Sequence, residues 1–379
     1  MRRSYRYRLY PTRIQIAALN MQVDEACRLY NAAVEERRSA WRQKGLSLGY
    51  YDQAAQLKVI RAAGNLGVAN FSACQDVLHR VERTFSAFFA RVRRGERAGY
   101  PRFKPRRRYR TLAFPRYGDG CRVRPSGRLY VQGVGELKVK WHRPLLGNIK
   151  MMTLTREADK WYVCFVVDHE PESLPVSAAV VGIDLGLTYF LVTDDGHVVA
   201  NPRHFRQAAS RLRVAQRKLA RRQNRSRRRE KIGHGLVRLH AHIGNQRRDF
   251  HHKTARALVD AHGLIAVEDL NVNGLARSML AKSVLDAGWG QFVRILAEKA
   301  ANAGRILVAV NPDNTTQNCS ECGERVWKDL KQRWHRCPAC GCSLDRDINA
   351  ARNILQRALD SRPGWGRQAL TWGATPCVA

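Results

Sequence analysis

Negative charge is what this sequence is short of. Its 379 residues carry 32 Asp and Glu against 67 Lys and Arg, a formal net charge of +35 and a pI of about 10.7. A surplus of that size repels itself unless a polyanion neutralises it, so nucleic acid is the expected partner. Long apolar runs are missing too. No stretch approaches the roughly 20 apolar residues of a membrane span, and the N-terminus has no h-region. A membrane is thereby set aside as the polyanion, and the chain reads as cytoplasmic or nucleoid-associated. Pairing logic is absent from most of the cysteines. Of ten, six (Cys27, Cys74, Cys121, Cys164, Cys342 and Cys377) are scattered, which suits a reducing compartment. The length allows two or three domains with ample core.

The other four cysteines carry the clearest spacing in the chain. Cys319/Cys322 and Cys337/Cys340 are two CxxC pairs separated by the fourteen residues GERVWKDLKQRWHR, enough for a short hairpin. A CxxC turn offers two thiolates to one ion, so two such turns predict a tetrahedral Zn²⁺ site; a disulfide pair or a redox-active CxxC are the alternatives. Cys342, two residues further on, is a potential competing ligand. The chain then runs into DRDINAARNIL, an acidic residue opening an amphipathic helix.

Two further acids share that pattern. Asp184 interrupts the apolar run VVGIDLG, and Glu268 ends LIAVE. A carboxylate in a buried strand is costly unless compensated, commonly by a divalent cation. Asp184, Glu268 and Asp347 thus suit a site for two Mg²⁺ ions. Singly, each has a plainer reading as a turn or helix cap, with Asp345 as the competing acid in the last motif.

Around these motifs the chain changes texture. RRSYRYRLYPT alternates basic and apolar residues like a strand, and apolar residues recur at helical spacing from Thr12 to about Arg42 and from Asn70 to Arg94. A basic, aromatic segment follows: GYPRFKPRRRYR holds Arg102, Lys104, Arg106, Arg107 and Arg108 between Tyr100, Phe103 and Tyr109, the composition of a phosphate-holding loop with rings for sugar or base faces. Strand signals at 137–141 and 149–167, the latter broken by a turn at EADK, complete a β-barrel of residues 1–11 and 96–170, with a helical lobe, residues 12–95, inserted. Residues 169–179 read as a linker. In RLRVAQRKLARRQNRSRRREK (211–231), eleven of twenty-one residues are Lys or Arg, including Arg221, Arg222, Arg225, Arg227, Arg228 and Arg229. As a helix it is basic around most of its circumference, which suits phosphates on more than one side.

GIDLG, the AVEDL segment and DRDINAARNIL, with CSECG and CPAC just before the last, resemble the RuvC-type nuclease domain of transposon-encoded TnpB proteins. These are small RNA-guided DNA endonucleases related to type V CRISPR effectors. The resemblance extends to YRYRLYPTRIQ, QDVLHRVERTFSAFFARVRRGERAGYPRFK, RRDFHHKTARALV and AGWGQF, covering about residues 1–356. It implies an α+β multidomain chain: a wedge-type barrel with a helical recognition lobe, then an RNase H-like nuclease, residues 180–310 and 343–360. A zinc ribbon (311–342) for target-strand loading completes it, and outside the resemblance the Gly, Pro and end position of residues 361–379 suggest a mobile tail. It further implies an insertion-sequence-encoded, Mg²⁺-dependent endonuclease with Asp184, Glu268 and Asp347 as catalytic triad, a guide RNA and target double-stranded DNA as partners, and a monomeric ribonucleoprotein. Gln75 lies in the segment that would face the flanking motif. The alternatives are a guide-dependent DNA-binding repressor, a small type V CRISPR effector and a guide-free zinc-ribbon nuclease. DNTTQN before the first CxxC departs from the family's YTSQ, and residues beyond about 360 match nothing in it.

Overall fold

The computed structural model describes residues 2–65, 69–171, 173–329 and 332–362. The chain divides into two compact units, Met1–Glu170 and Pro171–Ala379.

The first unit is built on an antiparallel sheet. In β1 (Arg2–Tyr10) the period-two pattern buries Tyr5, Tyr7 and Leu9 and leaves the alternate, mostly basic positions more open. Thr12 then caps α1 (Arg13–Lys44): its hydroxyl accepts from the Gln15 N–H, and the Gln15 side chain accepts from the Thr12 N–H, a reciprocal box that starts the helix sharply. Gly45, at φ 63°, ends it. Two more helices, α2 (Tyr50–Ala62) and the Asn70-capped α3 (Phe71–Arg93), come before the chain returns to the sheet. The remaining strands are β2 (Thr111–Phe114), β3 (Cys121–Val123), β4 (Leu129–Val131), β5 (Gly135–Lys140), β6 (Asn148–Glu157) and β7 (Lys160–Asp168). Their hydrogen-bonded order is β2-β6-β7-β1-β5-β4-β3, so β2 and β3 are the edges. The three helices thus stand in sequence between β1 and the six other strands of its own sheet. One core joins them: Leu19, Val23 and Tyr30 of α1 and Val77, Val81 and Phe85 of α3 share it with Tyr7, Leu154 and Phe165.

The second unit begins with β8 (Val180–Leu185), β9 (Tyr189–Thr193) and β10 (Val198–Ala200), followed by α4 (His204–Ala220) and α5 (Arg227–Ala261). After them come β11 (Leu264–Glu268), α6 (Val272–Leu275), α7 (Ala281–Ala287), α8 (Trp289–Asn302) and β12 (Ile306–Val310). A small hairpin of β13 (Trp334–Arg336) and β14 (Ser343–Asp345) leads into α9 (Arg346–Asp360). The five-stranded sheet has the order β10-β9-β8-β11-β12, with β8, β11 and β12 parallel and β9 antiparallel to its neighbours. Val181, Ile183, Ile265 and Val267 pack one face against Val259 of α5 and Phe292 and Leu296 of α8. Leu264, Ala266 and Val310 meet Ile354, Leu355 and Ala358 of α9 on the other. Both faces of the parallel strands are covered, which is why they read as unbroken apolar runs.

The basic stretch 211–231 is not one helix. Chain direction changes after Ala220, Arg225 adopts a left-handed φ of 63°, and Ser226 caps the new helix α5 through the Arg229 N–H. A helical hairpin results, closed by Ala208, Leu212 and Ile243. Residues 363–379, the bulk of the expected tail, lie outside the described residues, as does Cys377.

Candidate active site and metal centre

Register brings two of the three acids together. In the parallel pair β8/β11, Gly182 lies beside Ala266 and Ile183 beside Val267, so Asp184 and Glu268 are the next residues at the same ends of adjacent strands. Side chains two apart on a strand share a face, so Asp184 follows Gly182 and Glu268 follows Ala266 on the α9 side. Gly182 is where α9 touches down: a Cβ there would collide with the Ala351 carbonyl and crowd Leu355. One helical turn before Ala351 is Asp347. Two residues along the strand and four back along the helix end in the same place, at the carboxyl ends of the parallel strands.

The electrostatics report that convergence. Burial pushes the Asp184 acid well above the usual carboxylate range, and the charges of Glu268 and Asp347 add to it. Burial also raises Glu268, held back by the hydroxyl of Thr315, which donates to its Oε1, and by Arg357. Asp347 is paired with Arg346 (3.2 Å) and Arg333 (3.3 Å). Asp345, the competing acid, is spent as the N-cap of α9, accepting from the Asp347 N–H at 2.7 Å. Three carboxylates at this end of the sheet, two of them disfavouring the ionisation of Asp184, offer hard-oxygen donors, the chemistry that fits a divalent cation.

The cysteines also converge. The Sγ atoms of Cys319, Cys322, Cys337 and Cys340 all lie within 4.8 Å of one another. Cys319–Cys340 is 3.6 Å and Cys322–Cys337 is 3.5 Å, close to the roughly 3.8 Å between sulfurs at tetrahedral Zn–S distances of about 2.3 Å. Each pair sits in the same turn. Gly323 N–H donates to the Cys319 carbonyl and Gly341 N–H to that of Cys337, with both glycines at positive φ, 80° and 74°. Opposing its burial, the backbone N–H groups of Cys340 and Ala339 bring the Cys337 thiol down to about 7. The cluster fits zinc. Its base is tied to α9, where buried Asn349 accepts from the Ser320 N–H and donates to the Asn318 carbonyl. Cys342 lies in a different group, with Cys319 and His335.

The basic candidates are placed less uniformly. Arg102, Arg107 and Arg108 are exposed, and Arg102 lines a groove with Trp41, Tyr100 and Phe103. Lys104 lies over the Tyr30 ring at 4.2 Å, and Arg106 pairs with Asp24. Arg221, Arg222, Arg225, Arg227 and Arg228 are exposed along the α4–α5 hairpin, whereas Arg229 donates to the Leu219 and Arg222 carbonyls and closes the end of α4. Gln75 is half-buried on α3. Sequence reasoning missed Thr315, Arg333 and Arg346. Thr315 sat inside DNTTQN and Arg346 between the two acids of DRD, but nothing in a sequence says which way a hydroxyl or guanidinium turns.

Relatives can be set beside this geometry. Residues 163–279 match the OrfB_IS605 family, described as "Probable transposase", and residues 289–354 match the Cas12f1-like TNB domain. Over 369 residues the chain is 32% identical to a Streptomyces pristinaespiralis protein named as an RNA-guided DNA endonuclease, covering 95% of this chain and 90% of that one. The chain belongs to the TnpB-type family of RNA-guided DNA endonucleases. This TnpB-type chain is also 33% identical over 301 residues to InsQ of Escherichia coli K12, likewise named as an RNA-guided DNA endonuclease, covering 74% and 73% of the two chains. Among solved structures, that of the mini-RNA-guided endonuclease CRISPR-Cas_phi3 matches with a TM-score of 0.47 and 9% identity, covering 95% and 92%. Residues 1–45 match the family's helix-turn-helix domain; in this TnpB-type chain they form β1 and the single long helix α1. Among the described residues, no helix is long and apolar enough to cross a membrane.

Proposed function

We propose that this TnpB-type protein is an insertion-sequence-encoded, RNA-guided endonuclease that cuts double-stranded DNA beside a short flanking motif through one RuvC-type site. The observation that carries this reading is the convergence of Asp184, Glu268 and Asp347 at the carboxyl ends of β8 and β11 and the start of α9. The antiparallel β10-β9-β8 run followed by parallel β11 and β12 supports an RNase H-like core. The seven-stranded sheet with helices between its first and later strands supports the wedge-and-lobe layout.

Bound Mg²⁺ would supply a nucleophilic water and stabilisation of the leaving oxygen. Asp184, Glu268 and Asp347 would hold it. The Thr315 hydroxyl fixes one Glu268 oxygen, Oε1. Base pairing with a guide RNA would read most of the target, and the protein would read the flanking duplex, with Gln75 the candidate contact. The exposed arginines of the α4–α5 hairpin and of 102–108 would hold nucleic-acid backbone. A zinc ion on four sulfurs has no open position, so its role is structural, bracing the segment between β12 and α9. The working particle is a monomeric ribonucleoprotein.

The test is to purify the protein with the RNA that accompanies it, sequence that RNA, and offer a plasmid bearing its target beside randomised flanks. Site-specific cutting that requires Mg²⁺ and disappears after RNase treatment is expected. Cutting that survives RNase would make this a guide-free nuclease. Asp184→Ala should bind RNA normally and not cut; wild-type rates in that variant would overturn the site.

A further inference from the structure

The ribbon carries a second group of ligating side chains beside the four-sulfur cluster. Cys319, His335 and Cys342 place two sulfurs and a ring nitrogen within 4.8 Å of one another. His335 is fully buried, and neither of its ring nitrogens has a hydrogen-bond partner. A buried imidazole without partners is costly, and native proteins rarely leave one without a reason. Packing does not require it: an apolar residue would fill the same place on β13 at no such cost. The nitrogens call for something that binds them.

The hairpin fixes where these groups stand. His335 pairs across β13/β14 with Leu344, and the Cys337 N–H donates to the Cys342 carbonyl at 2.8 Å. Trp334 and Arg336 are exposed while His335 and Cys337 are buried, so the imidazole and the Cys337 thiol leave the chain on the same side. The four cysteines of the cluster are themselves unequal. Cys319 and Cys337 are buried, Cys322 and Cys340 exposed.

We propose that His335 and Cys342 are reserve zinc ligands: they stand beside Cys319, the one residue common to both groups, and when the exposed thiolates of Cys322 and Cys340 are lost the ion shifts toward them, keeping the buried Cys319 and Cys337 and completing a three-sulfur, one-nitrogen set. Three thiolates and a neutral imidazole are an ordinary tetrahedral set for a structural zinc. The inference rests on the zinc reading above, and it accounts for the unpartnered imidazole and for a fifth cysteine in the ribbon together.

The exposed and buried pairs give opposite expectations. Full-length wild type, Cys322→Ser/Cys340→Ser and Cys319→Ser/Cys337→Ser are purified, dialysed against a weak chelator, and analysed for zinc per chain. Cobalt replacement then reports the ligand set by absorption. Wild type should hold one zinc with a four-sulfur cobalt spectrum. The exposed-pair variant should also hold one, with its spectrum changed to three sulfurs and one nitrogen. The buried-pair variant should hold none, and Cys342→Ser added to the exposed-pair variant should empty it. An exposed-pair variant that loses zinc as readily as the buried-pair one overturns the proposal, as does one that keeps zinc without Cys342. Wild type free of zinc would instead bring down the zinc reading itself. Should the double variants fail to fold, Cys322→Ser with and without Cys342→Ser puts one ligand at stake: adding Cys342→Ser should weaken zinc binding at least about tenfold, and an unchanged affinity overturns the proposal.

Discussion

Asp184 is held where an isolated carboxylate would not choose to ionise. Burial, then Glu268 and Asp347, raise its acid well above the usual range. Between that range and the raised value the folded state holds a proton that the unfolded chain has given up. In the presence of a chelator, stability should therefore fall as pH rises through that window and recover as it drops. Asp184→Asn removes the ionisation, so its melting temperature at neutral pH should exceed that of wild type in chelator. Cutting should fall by more than the roughly 10–100-fold typical of losing a residue that merely supports a ligand. An Asn variant that melts below wild type at neutral pH would contradict the crowding of these acids. On the proposed reading of Glu268, Thr315 is such a supporting residue. Its hydroxyl keeps the Glu268 acid lower than burial alone would, so Thr315→Val should shift the acid limb of the rate–pH profile upward and slow cutting about 10–100-fold. A slower enzyme with an unmoved limb would mean that Thr315 serves only packing.

At the scale of elements, the second unit depends on one close contact. Gly182 lets α9 lie directly on β8, with the Ala351 carbonyl where a side chain would begin. Gly182→Ala must lift the helix that carries Asp347. Overpacking of this kind costs about 1–3 kcal/mol, and cutting should fall further than the loss of folded protein explains, measured by activity per folded molecule at a temperature where the variant is intact. Retained activity per folded molecule would show that α9 can move without disturbing the site. The strands holding Asp184 and Glu268, the helix of Asp347, the cysteine turns, α1 and α3 were all legible in the sequence, because each has strong periodicity or a motif with a geometric reason. Less was legible elsewhere. β3 and β4 are three residues each and owe their existence to pairing, β3 with β4 and β4 with β5, which no local pattern announces. The break in 211–231 turns on a left-handed Arg225 and a Ser226 cap, weak signals inside a run whose charge dominated the reading. Glu268 was visible as an acid ending a strand, whereas its hydroxyl partner was not, since Thr315 lies 47 residues away and meets it only through the fold.

For the whole molecule, the formal charge of +35 sets the mode of binding before any base is read. Each arginine that neutralises a phosphate releases counterions and steepens the salt dependence of affinity, by about 0.9 in log–log slope for duplex and about 0.7 for single strands. The α4–α5 hairpin separates arginines free for that task from one that is not. Arg221, Arg222, Arg225 and Arg228 are exposed, while Arg229 is committed to the Leu219 and Arg222 carbonyls. Replacing these four of the five exposed arginines at 221–228 with Gln should reduce the slope of guide-RNA binding by about 3 and weaken binding most at low salt. Arg229→Gln should leave the slope almost unchanged and instead lower the melting temperature, because the carbonyls it serves at the end of α4 lose their donor. Binding isotherms across a salt series, with melting curves for both variants, separate the two effects. An unchanged slope in the fourfold variant would move the RNA off this hairpin, leaving the arginines of 102–108 as the other basic surface to carry it.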